Sequence, residues 1–242
     1  MMPVVAVLDN PSKIQNPKSK IATPFGPVGY DRLALAGGEV AILVAAVHVS
    51  RFTFHTPIAN HQLPIPTDPR ALAYAAKALG AERVIALARD TGVERPSVPD
   101  DFIEFTTGRP TTFFTAMGAG YVQQDPPFCP ELRQALLAAG AEAAGPLLIL
   151  DELPPAAGRD GWAARSINLI TTVTQPEGAL CRELELCFAV LVAPPEMVIQ
   201  SFLAAVLENL PAERGCTCGE TMALARRSGR LAADWRGWVG QD

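Results

Sequence analysis

The run Cys187–Ala193 is apolar at every position and is stopped by Pro194-Pro195. A half-exposed strand would alternate apolar with polar residues, so an unbroken run of this length reads as a strand buried on both faces. Such a strand needs packed layers above and below it, which a single domain supplies by placing helices on both sides of a sheet. The rest of the chain offers both kinds of element. Val4–Leu8, residues 83–87, residues 101–105 and Leu147–Leu150 read as strands, and residues 31–35 and 40–48 flank Gly37-Gly38 as a hairpin. Asp68-Pro69 opens a helix in which Leu72, Tyr74, Ala75 and Leu79 recur at helical spacing before Gly80. Pro130 opens a second helix over residues 132–139, Pro176-Glu177 a third over 178–184, and residues 197–210 form a long amphipathic one. Residues 163–170 read as a helix end followed by a strand. The expectation is one α/β domain over residues 1–242, with a mixed, largely parallel central sheet flanked by helices and a CxC-bearing tail at about 211–242.

Composition narrows the class. In a chain of 242 residues, 49% hydrophobic and 19% charged content means a packed core. The net charge of −5, with both signs mixed throughout, gives no basic footprint for nucleic acid or for an anionic membrane surface. The longest apolar runs fall far short of a membrane span. The first residues lack the positive start and long apolar stretch of a signal peptide, so a cytoplasmic location is expected. The five cysteines are odd in number and only Cys216 and Cys218 are close together, which is not a secreted disulfide framework. The 22 prolines and 19 glycines are scattered, and no linker or repeat divides the chain.

The common catalytic signatures are missing: there is no GxxxxGK[ST], GxGxxG, HExxH or GxSxG. Cys216-Thr217-Cys218 has no second closely spaced pair, so no zinc site is expected, and the motif reads as two thiols of a C-terminal segment or, less readily, a vicinal redox pair. Neither a metal nor a cofactor is expected. His48 ends a strand, while His55 and His61 lie in a Pro-rich loop. Ligands of α/β folds bind at the carboxyl ends of strands. That rule picks out Arg89 and Glu196, although a local ion pair at Arg89-Asp90 and a solvated turn acid at Glu196 explain the same residues without a ligand.

Several motifs, in order, resemble the trimeric branch of the methylthioadenosine and purine nucleoside phosphorylase family. They are Thr23-Pro24-Phe25-Gly26, the helix with Arg70-Ala71 and Lys77 before Gly80, Pro127-Phe128-Cys129-Pro130, Thr171-Thr172 with Pro176-Glu177, Cys187-Phe188-Ala189, and Glu213-Arg214 before the CxC. The resemblance spans most of the chain. It implies a nucleoside-phosphorylase-like fold, a homotrimer, and a glycosyl transfer in which phosphate splits a nucleoside into a purine and a sugar 1-phosphate.

That chemistry needs an anion site, a sugar site and a hydrogen bond to the leaving base. Set against the family, Asp9-Asn10-Pro11-Ser12 replaces a glycine-rich phosphate turn, Val47-His48-Val49 keeps a histidine and loses an arginine, and Ala88 replaces a threonine with Arg89 one place later. Glu152 begins the segment where the family carries a purine-stacking phenylalanine, which is missing here. Thr172 stands for a ribose-contacting methionine, and Glu196 and Val198 for two base-reading aspartates. His61 matches a histidine of the family's His-Thr-x-Pro, after an apparent insertion at 51–60. The resemblance therefore implies His48 and Glu196 as catalytic candidates, and His61, Arg89, Glu152, Thr172, Asp9 and Ser12 as substrate-binding candidates. The expected function is a phosphorylase-like protein repurposed for another small molecule, nucleoside-like or more hydrophobic, in which most of the phosphate and purine groups are lost. An active phosphorylase and a non-catalytic regulatory subunit are the alternatives.

Overall fold

The computed structural model describes residues 4–8, 18–36, 38–44, 68–89, 92–114, 122–172, 176–235 and 239. In chain order the elements are β1 (Val4–Leu8), β2 (Lys18–Ile21), β3 (Val28–Leu35), β4 (Gly38–Val44), α1 (Arg70–Ala78), β5 (Ala81–Arg89), β6 (Ser97–Pro99) and β7 (Phe102–Phe105). They continue with α2 (Pro130–Ala138), β8 (Glu142–Ala144), β9 (Leu147–Leu150), α3 (Ala156–Ala163), β10 (Leu169–Thr171), α4 (Glu177–Glu183), β11 (Cys187–Ala193), α5 (Ile199–Asn209) and α6 (Ala223–Arg227).

Eight strands form one sheet in the order β2-β3-β4-β1-β5-β11-β6-β8, and three form a second in the order β10-β9-β7. The sheet is mixed, as expected, but not largely parallel. In the eight-stranded sheet only β5–β11 and β6–β8 run parallel. Strands β1 to β4 join one another antiparallel, and β1 also meets β5 antiparallel. The hairpin expected from residues 31–35 and 40–48 forms as β3 and β4, whereas the alternation of strand and helix on which the parallel expectation rests starts only with α1, and the strands before it pair antiparallel.

Strand β11 is the axis of the molecule, and all seven of its residues are buried. Its side chains alternate between two cores. Phe188, Val190 and Val192 join Leu72, Leu180, Phe113 and Trp235 on one face. Cys187, Ala189 and Leu191 join Leu132, Leu136, Leu203 and Val206 on the other. Helix α5 presents Ile199, Phe202, Leu203, Val206 and Leu207 at spacings of three and four, and each such side chain stabilises the fold by roughly 1.5–3 kcal/mol when fully buried.

Helix α1 starts as its sequence dictates. The Asp68 carboxylate accepts the Arg70 backbone N–H at 2.9 Å and its guanidinium at 2.7 Å, with Pro69 between them. Gly80 ends it at φ +81°, a conformation that a side chain would strain.

Candidate functional site

The parallel register of β5 and β11 sets Ala88 opposite Val192 and Arg89 opposite Ala193, so both strands deliver their carboxyl ends to one face. Ala88 is buried with only a methyl group to offer. Past Ala193 the two prolines forbid further ladder bonds. The chain turns there, with the Met197 N–H donating to the Pro194 carbonyl at 3.2 Å. Glu196 sits on this turn, exposed to solvent. Val198 caps α5 and is 53% exposed, so it adds an apolar rather than a carboxylate group to this edge.

Glu152 and Thr172 lie at the corresponding end of the smaller sheet. Strands β9 and β10 are parallel, with Ile149 opposite Thr171, so the residues that follow each strand emerge side by side. Glu152 is exposed and Thr172 half-buried. An arginine not singled out from the sequence ties these turns together. The Arg109 guanidinium donates to the Thr172 carbonyl at 3.0 Å and approaches the Asp151 carboxylate at 3.5 Å. The same carboxylate accepts the Thr107 N–H at 3.1 Å and the Thr107 hydroxyl at 2.9 Å. Arg109 stands in a Gly108-Arg109-Pro110 loop with no recognisable motif. The available signal was Asp151, an acid placed directly after a buried strand.

Behind Thr172, Glu177 is buried at the start of α4, and its Oε2 has no hydrogen-bond partner among the described residues. Burial pushes its carboxyl upward, against the opposing pull of its own backbone N–H and of Arg109. A neutral carboxyl here is a hydrogen-bond donor; an ionised one is an acceptor. These strand ends therefore offer polar groups to a hydroxylated or heteroaromatic ligand. Asp9, Ser12, His48 and His61 lie outside the described residues, as do Val47 and the 51–60 insertion. A cleft of about 520 Å³ lined by Val93, Arg95, Glu142, Ser166 and Asn168 contains none of the candidate residues.

The CxC motif behaves differently from the sequence expectation. Cys216 and Cys218 do not stand alone, because Cys129 and Cys187 meet them, and all four sulfurs lie within 4.8 Å of one another. The reading of no zinc site relied on the lack of a second close pair in the sequence, whereas the fold draws the other two thiols from distant positions. Hydrogen bonds from the Cys187 and Cys218 thiols hold Cys129 far below the ordinary thiol range. The same sharing with Cys129 pushes Cys187 up.

No known family profile matches the chain. Individual proteins do. The S-methyl-5'-thioadenosine phosphorylase of Mycobacterium tuberculosis is 31% identical over 186 residues, 73% of this chain and 69% of its own length. A probable S-methyl-5'-thioinosine phosphorylase of Methanopyrus kandleri is 34% identical over 70% of this chain and 68% of its own length. The S-methyl-5'-thioadenosine phosphorylase of Thermofilum pendens is 26% identical and matches 89% of this chain and 93% of its own length. Among solved structures, a methylthioadenosine phosphorylase from an Antarctic soil metagenomic library superposes with a TM-score of 0.66 over 90% of this chain and 89% of that chain at 20% identity. The Schistosoma mansoni methylthioadenosine phosphorylase bound to tubercidin gives 0.64 over 91% of this chain and 94% of that one, at 18% identity. At such identities the two structures establish a shared fold.

Proposed function

This chain belongs to the methylthioadenosine and purine nucleoside phosphorylase family, and we propose that it binds a nucleoside-like or more hydrophobic small molecule at the strand-end face without phosphorolysing purine nucleosides. The observation that carries this reading is the end of β5. Ala88 is buried against β11 with no hydroxyl, at the position where the family resemblance sets a phosphate-holding threonine, and Arg89 follows one residue late. A guanidinium fork is directional, so an arginine one place later in the chain is no substitute for the missing hydroxyl. Each charge-assisted hydrogen bond withheld from a phosphate forfeits roughly 1.5–3 kcal/mol. Val198 at the base end supports the same reading, because an exposed isopropyl group cannot accept from a purine. His48 and Glu196 remain the candidates for proton transfer, with Arg89, Glu152, Thr172, His61, Asp9 and Ser12 for binding.

The test is phosphate-dependent release of free base from methylthioadenosine and inosine, followed chromatographically. The expected result is no release above the phosphate-free control. Turnover in the ordinary range of about 1–1,000 per second would overturn the proposal. That outcome would establish the second reading, an active phosphorylase, which is favoured by the thioadenosine phosphorylase match over nine-tenths of its own length. A protein that binds without turnover still reveals its ligand. At a hundred times Kd a nucleoside-like ligand stabilises the fold by about 2.7 kcal/mol, a readily measured rise in Tm.

A homotrimer is part of the same proposal. Phe105 and Leu153 are both more than half exposed and flank the Asp151-Glu152 turn, a position where an apolar contact between subunits would border the site. Light scattering at micromolar concentration should give three times the chain mass; a monomer overturns the assignment.

A further inference from the structure

We propose that Cys129, Cys187, Cys216 and Cys218 form a closed, four-thiolate structural site for a thiophilic divalent metal ion, zinc above all. A tetrahedral zinc with Zn–S bonds of about 2.3 Å sets its sulfurs roughly 3.8 Å apart. Here all four sulfurs lie within 4.8 Å of one another, and Cys187 and Cys216 are 3.4 Å apart. Small side-chain rotations convert one arrangement into the other. The donor set is purely soft sulfur, which selects zinc over magnesium or calcium. Four protein ligands leave no open position, the mark of a structural rather than a catalytic centre.

The four ligands come from three separate parts of the fold, which hydrogen bonds fasten to one another. Cys129 precedes α2, and its N–H donates to the Phe188 carbonyl at 2.8 Å, next to Cys187. Cys187 opens β11 in the middle of the sheet. The segment carrying Cys216 and Cys218 is fastened before and after the motif. Arg83 donates to the Pro211 carbonyl at 2.9 Å, Arg214 pairs with Glu82 at 2.7 Å, and the Gly215 N–H donates to the Glu131 carboxylate at 2.7 Å. The Thr221 hydroxyl reaches the Cys218 carbonyl at 3.2 Å. A scaffold braced in this way before the ion arrives leaves only side-chain rotations for binding.

Charge fits as well. Four thiolates around a divalent ion leave a net charge of −2, and a buried excess of that size needs compensation. The guanidiniums of Arg182 and Arg214 lie within electrostatic reach of these sulfurs, and Cys129 stands at the positive end of α2. Binding exchanges the thiol protons for the ion and releases them to solvent, with no oxidant required.

The location separates this centre from the candidate active face. Cys187 lies opposite Arg83, whereas Ala193 lies opposite Arg89. Six residue steps of a strand put the thiols about 20 Å from the carboxyl ends. The ion would join the C-terminal segment to the sheet rather than take part in chemistry.

The test uses untagged full-length protein, produced in zinc-supplemented medium and purified under reducing conditions without chelator. Metal content is measured by mass spectrometry, and thiols are titrated after unfolding with chelator present. The expected result is about one zinc per chain and all five thiols free. Exchange with cobalt should give the intense absorption of a tetrahedral cobalt thiolate. Cys129→Ser and Cys218→Ser should each lower retained zinc at least tenfold, while Cys181→Ala, in α4 and outside the cluster, should keep it. Absence of zinc overturns the proposal, as does a thiol count lowered by disulfides or full zinc retention in Cys218→Ser. Should the serine variants fail to fold, the cobalt spectrum of the unaltered protein decides alone: a spectrum without thiolate-to-cobalt bands overturns it.

Discussion

Replacing Arg182 by methionine should lower the unfolding free energy by about 2–4 kcal/mol, a large share of the 5–15 kcal/mol that holds an ordinary domain together. Arg182 is 3% exposed in the middle of the molecule. Its guanidinium donates to the Gln123 carbonyl at 3.0 Å and to the Pro126 carbonyl, fixing the turn that leads into Phe128 and Cys129. Methionine keeps most of the stem's volume but removes both donors. A hydrogen bond from a charged donor contributes about 1.5–3 kcal/mol, and water reaching the exposed Gln123 and Pro126 recovers part of what is lost. Relief from burying a charge offsets part of that loss, since burial already pulls Arg182 below its ordinary value. Urea denaturation reads the result as a fall in the midpoint with an unchanged slope. Arg182→Lys should recover only part of the stability, because a single ammonium cannot span two carbonyls as a fork does. A midpoint within error of the unaltered protein would mean that the turn is held by something other than these bonds.

The contrast between Arg182 and its neighbours shows what the sequence could reveal. Strand β11 was legible because burial on both faces leaves an all-apolar run, and α1 because Asp68, Pro69 and Gly80 each have a local steric or hydrogen-bonding reason for their positions. Helix α3 was legible only at its end, near residue 163, since none of its residues is buried and so no apolar periodicity marks the rest. Strands β2, β6 and β8 are three or four residues long and partly polar or proline-bearing, too short for any period to register. The charges of α4 fail for a different reason. Glu177, Arg182 and Glu183 look like an ordinary solvated helix in sequence, yet all three are buried because α4 is packed on its polar as well as its apolar side. For Arg182 and Glu183, what makes that tolerable is a set of partners 56 to 71 residues away, which no local pattern encodes. The thiol cluster is invisible for the same reason: Cys129 and Cys187 are each solitary in the sequence. At the candidate site, Glu196 and Arg89 could be found because the strand-end rule follows from topology, whereas Arg109 owes its place to a loop whose path only the fold determines.

Glu183 should make the protein more stable at pH 5 than at pH 8. Its side chain is 1% exposed, and burial raises its carboxyl from the ordinary 4.5 to about 7. The Thr112 hydroxyl at 2.5 Å and the Phe113 N–H at 2.7 Å oppose that rise without cancelling it. Below pH 4.5 both the folded and unfolded chains carry the proton, and this group costs nothing. Between 4.5 and 7 the unfolded chain gives the proton up while the folded chain keeps it, so stability falls as pH rises. Above 7 the folded chain holds a buried carboxylate and the loss is complete. A shift of this size is worth about 3 kcal/mol. Glu177, also pushed up by burial, acts in the same direction. Histidines also change charge between pH 5 and 8, and the chain has three, so the part of the slope owed to Glu183 is read by comparison with Glu183→Gln. Glu183→Gln cannot ionise and should flatten most of the slope. It should be less stable than the unaltered protein at pH 5, where an amide group meets the Phe113 N–H or the Thr112 hydroxyl less well than a carboxyl does, and equal or better at pH 8. A melting temperature that rises from pH 5 to pH 8, or a slope that survives in Glu183→Gln, would show that Glu183 does not carry the pH dependence.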